Sequence, residues 1–152
     1  MDNYDIFVKA DGAHENGDYA LALDLFMQCA KNGDVYAMER IASMYTCGEG
    51  VECSYDNALE WELKAYNAGH SSAAINIGIT YRIKGDLVNS RKWLKKAFAG
   101  GDDEAALLLA KLHIVCGNQT EKVVSLLNKV ITSTSACRES IDEAKSLLAN
   151  LR

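Results

Sequence analysis

Ala37-x3-Ile41-Ala42-x2-Tyr45, leading on to Trp61-x3-Ala65-x3-Gly69, recurs downstream as Ala73-x3-Ile77-Gly78-x2-Tyr81 and Trp93-x3-Ala97-x3-Gly101. Self-similarity at a period of about 20–50 residues outranks other sequence signals, because each copy is one supersecondary unit that buries its apolar face only by stacking. The offset is 36 residues from Gly33 to Gly69 and 32 from Gly69 to Gly101, so the unit is a helical hairpin with a turn of variable length. Leu25-x3-Cys29-x3-Gly33 precedes the first clear copy, and Ala105-x3-Leu109-Ala110-x2-His113 follows the second. Small residues recur where helices must approach closely (Ala10, Ala42, Gly78, Ala110), and large ones recur a turn or two away (Tyr45, Tyr81, Trp61, Trp93). Close helix packing needs that alternation.

The spacing predicts helices over about 3–15 and 18–31, 34–46 and 54–68, 71–84 and 87–99, 102–115 and 121–132, and a ninth from about 138 to the end. Asn16-Gly17-Asp18, Asn32-Gly33-Asp34, Ala68-Gly69-His70 and Gly100-Gly101-Asp102 each put glycine after one helix and a capping residue before the next, which fixes the register. In the last helix Ser140-Ile141-Asp142-Glu143 reads as a capping box, and Ile141, Ala144, Leu147, Leu148 and Leu151 form one apolar stripe. Such a helix covers the open end of the last hairpin, or swaps between copies, so a monomer or weak dimer is expected.

Gly48-Glu49-Gly50-Val51, followed by Asp56, Ala58, Trp61, Lys64, Ala65 and Gly69, resembles the Sel1-like repeat, a tetratricopeptide-like repeat with a longer turn inside the hairpin. The second copy reads Lys84-Gly85-Asp86-Leu87, four residues shorter, and Asn16-Gly17-Asp18-Tyr19 and Gly117-Asn118-Gln119 are also short turns. The resemblance covers roughly residues 5 to 130 and is strongest from 33 to 101. It implies an all-α, right-handed α-solenoid of about four hairpins (units about 3–33, 34–69, 70–101 and 102–132) with a capping helix over 138–152, as a single domain. It carries no catalytic residue with it.

Composition agrees. Proline is absent and Ala, Leu, Glu and Lys are abundant, which leaves no competing sheet or linker signal. The net charge is −5, and no Lys/Arg run exceeds Arg91-Lys92 or Lys95-Lys96, so the basic face of a nucleic-acid module is not expected. The chain begins MDNYDIFVKA, with acids where a secretion signal has bases, and no stretch is apolar enough to span a bilayer. A cytoplasmic protein without membrane contact is therefore predicted. Five scattered cysteines (Cys29, Cys47, Cys53, Cys116, Cys137) fit a reducing compartment rather than a disulfide framework.

Little in the chain reads as chemistry. His14, His70 and His113 fall at equivalent turn or helix-end positions in different units, and His113 takes the slot of Tyr45 and Tyr81, so packing explains them better than general-base work. Cys47 and Cys53 flank the Gly48-Glu49-Gly50-Val51 turn at a separation that matches neither a zinc pair nor a Cys-x-x-Cys motif; a thiol redox sensor there is the rival of another class. The glycines of the turn lack the trailing Lys-Ser/Thr and the preceding strand of a phosphate loop. No enzyme, cofactor or metal site is expected.

The resemblance implies that the first helix of each hairpin lines a binding face. Transfer from the aligned small residues gives Tyr4, Phe7, Asp11, His14 and Glu15, then Tyr36, Glu39, Ser43, Thr46 and Cys47, both sets acidic with an aromatic opening. It then gives Ser72, Ile75, Ile79, Arg82 and Ile83, and Glu104, Leu107, Lys111, Ile114 and Val115, which are apolar with isolated bases. Such a face suits a basic, partly hydrophobic protein segment. The expected role is a protein-interaction module. Its sharpest form is an immunity protein that binds and neutralises a cognate bacterial toxin with a basic domain; the alternative is a general scaffold that clamps an extended peptide through Arg82 and Lys111.

Overall fold

The structure is a computed structural model and describes residues 2–117 and 121–151. Among these the chain forms nine helices and no strand: α1 Asn3–Glu15, α2 Tyr19–Lys31, α3 Val35–Cys47, α4 Tyr55–Asn67, α5 Ala73–Ile83, α6 Leu87–Ala99, α7 Glu104–Val115, α8 Glu121–Ile131 and α9 Arg138–Asn150. The helices begin where local chemistry stops the backbone from needing further partners. Asp18 accepts from the Leu21 amide, Asp34 from the Tyr36 and Ala37 amides, Ser54 from the Asn57 amide and Asp86 from the Asn89 amide, each satisfying a donor that the helix itself leaves orphaned. The short turn at Gly117-Asn118-Gln119 reaches beyond the described residues.

Two expected caps differ. His70 does not cap α5: its carbonyl accepts from the Ala73 amide in an intervening turn, and its ring reaches Ser72 Oγ at 2.9 Å. Imidazole is too bulky and too distant to replace a short Asp or Ser oxygen. Ser140 is likewise no N-cap, because α9 already starts at Arg138. Glu104 of α7 holds the start of α9 instead, accepting from the Cys137 amide at 2.9 Å and from Ser140 Oγ, while Glu143, the other end of the supposed box, pairs with Lys111 at 2.6 Å.

The chain divides into two compact units, Met1–Thr80 and Tyr81–Arg152. In the first, Ala10, Ala13, Ala22, Leu25, Phe26, Cys29, Ala37, Ile41 and Met44 form one buried cluster, ringed by Phe7, Tyr19, Tyr45 and Trp61. Phe7 meets Phe26 edge-on with centroids 5.4 Å apart, an arrangement aromatic quadrupoles favour. In the second, Leu94, Leu107, Leu109, Leu112, Val123, Leu127 and Val130 are buried. The predicted small positions Ala10, Ala42 and Ala110 are buried too. Trp61 and Trp93 are half-buried, and each lies under a lysine three residues on, Lys64 and Lys96, with the ammonium 4.1 Å from the ring centroid.

Because Glu104 holds both an amide and a hydroxyl of the α9 start, Glu104→Ala should loosen α9 alone. We expect a loss of about 1–2 kcal/mol, read as faster amide exchange across 138–150 with α7 and α8 still protected.

Candidate functional site

The first-helix positions of residues 1–80 form a face joined by polar contacts. Asp11 of α1 receives Arg40 of α3 at 3.2 Å. Glu39 of α3 accepts from Asn76 of α5 at 3.2 Å and lies 3.4 Å from His70 Nε2. Asn3 Nδ2 donates to Asp34 Oδ2 at 2.8 Å, bringing the starts of α1 and α3 together. Above this framework two aromatic rings stand in solvent: Tyr4 is 75% exposed and Tyr36 is 61% exposed, the latter edge-on to His70 at 5.2 Å. Val8, one turn along from Tyr4, is exposed as well.

Other predicted positions sort by depth. Phe7 is half-buried on Phe26, and Ile75 and Ile79 are half-buried. Glu15 and Ser43 are exposed, whereas the Thr46 hydroxyl donates to its own helix at Ala42 O. His14 sits 2.8 Å from Glu49 in the long turn and edge-on to Tyr19, so it anchors that turn. Cys47 and Cys53 are free and exposed, with Cys53 Sγ donating to Thr46 O. In the second unit Arg82, Ile83 and Val115 are exposed, Ile114 is half-buried, Leu107 is buried, and Glu104 and Lys111 are engaged by α9.

Sequence reasoning passed over three features. The first is charge polarity: residues 1–80 carry thirteen Asp/Glu against four Lys/Arg, residues 81–152 eight against twelve. The whole-chain value of −5 conceals it. The second is Arg40, the base that closes the acidic row. The third is Glu62 of α4, 7% exposed, whose Oε1 accepts from Thr80 Oγ1 at 2.9 Å while its Oε2 is buried with no partner. Burial pushes its carboxyl up to about 7, the Thr80 hydrogen bond opposing this and the charge of Glu39 adding to it. No group of three or more His, Cys, Asp or Glu side chains among the described residues could hold a metal ion, and no described helix is long and apolar enough to cross a membrane.

Comparison with known proteins places this architecture. No family model matches the chain. Among curated proteins it is 32% identical over 96 residues to the chitin synthase regulator SKT5 of Saccharomyces cerevisiae, a match that takes in 59% of this chain and 14% of that protein. Among solved structures it superimposes on a Sel1 repeat protein from Oxalobacter formigenes (TM-score 0.67, 18% identity, 87% of this chain and 53% of that one). It also superimposes on c5321, a protective antigen of uropathogenic Escherichia coli with an SLR fold (0.76, 18%, 99% and 33%), and on MamA protein (0.71, 17%, 98% and 85%). The fold is therefore the all-α solenoid of Sel1-like repeat proteins.

Proposed function

We propose that this Sel1-like repeat fold is a protein-binding module, whose partner presents a basic, partly apolar surface to the α1–α3 face of residues 1–80. The observation that carries the reading is the pair of solvent-exposed tyrosines, Tyr4 and Tyr36, on the two helices that also carry Asp11, Glu15 and Glu39. Tyrosine supplies a large contact area at little entropic cost and is enriched at binding hot spots. A surrounding acidic potential steers a basic partner to it. The curated relative is itself named a regulator of another protein. Toxin neutralisation is the specific form we favour, because a surface of opposite charge is what occludes a basic toxin domain. The general peptide clamp is weaker, since Lys111, one of its two bases, is already neutralised by Glu143.

Affinity capture of the tagged protein from its native cell, with the product of the neighbouring gene co-expressed, tests both levels. A stoichiometric, salt-sensitive complex with a toxic neighbour establishes neutralisation; several weak partners and no toxic neighbour leave only the scaffold. Tyr4→Ser with Tyr36→Ser should weaken the captured complex by about 2 kcal/mol or more while the melting temperature holds. Unchanged affinity moves the interface off this face.

A further inference from the structure

In the second unit, basic groups gather without an acid. Arg91 of α6 reaches the end of α7, its Nη2 donating to Cys116 Sγ at 3.5 Å, and its Nε is buried without a partner. One turn before Cys116 lies His113, 9% exposed, whose Nε2 is also buried without a partner. Burial and the charges of Arg91, Lys122 and Lys95 all push the imidazole toward its neutral form, and Lys95 follows Arg91 by one turn on the same face of α6. No described carboxylate pairs with Arg91, Lys95 or Lys122. Buried donors that find no acceptor are costly, and like charges held together without a counter-ion repel. An anion would relieve both.

We propose that Arg91, Lys95, Lys122 and His113 form a binding site for a phosphate monoester. Two exposed lysines and one arginine suit a compact dianion with several acceptor oxygens. The imidazole Nε2, protonated or in its donor tautomer, supplies a further hydrogen bond from the floor of the site. The sequence hides the site because Arg91, His113 and Lys122 lie far apart along the chain.

Titration of the full chain with inorganic phosphate, and separately with a phosphoserine peptide, followed by NMR of backbone amides and of the His113 ring, tests the proposal. Saturable shifts at Arg91, His113 and Lys122 are expected, together with a rise in the His113 pKa as phosphate offsets the surrounding cations. Arg91→Gln should weaken binding about tenfold, and Lys95→Gln, on the exposed side, should weaken it without touching the fold. Lys92→Gln serves as the control of equal charge change. Tighter binding of the peptide than of inorganic phosphate assigns the group to a modified partner protein; equal binding assigns it to a small phosphate. Shifts that never saturate, or the same affinity in Lys95→Gln as in Lys92→Gln, overturn the proposal.

Discussion

Gly50→Ala is expected to destabilise the first unit by about 3 kcal/mol, well beyond an ordinary surface substitution. Gly50 sits in the long turn between α3 and α4 with φ +72°, and a Cβ there would meet Tyr19 Cβ, C and O at 2.8–2.9 Å. Two costs add: about 1–2 kcal/mol for a side chain in the left-handed region and about 1–3 kcal/mol for the forced overlap, the atoms struck being mostly backbone of α2. Neither helix end can yield without disturbing the Asp18 cap or the contact of His14 with Glu49. Gly48→Ala separates the terms. It shares the left-handed backbone, at φ +74°, but its Cβ would find Cys53 and Val51 at an ordinary 3.5–3.6 Å, so only about 1–2 kcal/mol should be lost. Thermal melts of the two variants decide the matter, with Gly50→Ala expected several degrees lower. Equal melting would mean the turn does not rest on α2.

That turn shows why so much of the fold was legible. Helix punctuation is local: a glycine, then an Asp or Ser two to four residues before an apolar repeat, determines where a helix starts whatever surrounds it, and the predicted ends fall within two residues of those observed. Legibility failed where a partner distant in sequence overruled the local rule. Glu104 captured Cys137 and Ser140 from over thirty residues away, and so a plausible capping box became the interior of α9. The proposed binding face was readable only in outline for the same reason. The transferred repeat geometry singled out Tyr4 and Tyr36, but nothing along the chain says that Lys111 meets Glu143 or that Arg40 meets Asp11. Charge polarity was readable and was averaged away by counting the chain as one.

Glu62 carries the other large effect, and the repeat itself explains it. Aligned unit on unit, Glu62 takes the slot of Phe26 and Leu94, both fully buried, and Thr80 takes that of Met44 and Leu112. A polar pair has thus replaced two apolar core residues that face each other, and the Thr80–Glu62 hydrogen bond satisfies only one of the two carboxyl oxygens. Folded, the carboxyl titrates near 7 rather than 4.5, burial being the main cause and Glu39 a lesser one. The folded state therefore holds a proton that the unfolded chain has released. Stability from this group is fully present below pH ~4.5, falls as pH climbs toward 7, and above that the buried charge costs on the order of 3 kcal/mol. Glu62→Gln keeps the shape and the acceptor for Thr80 yet cannot ionise. Urea unfolding at a series of pH values should find it more stable than the parent at pH 8, by up to about 3 kcal/mol, and level with it at pH 4.5. The difference between the two curves isolates Glu62, every other group being common to both. Curves that run parallel from pH 4.5 to 8 would show that Glu62 is solvated after all, and that its place in an apolar slot costs the fold nothing.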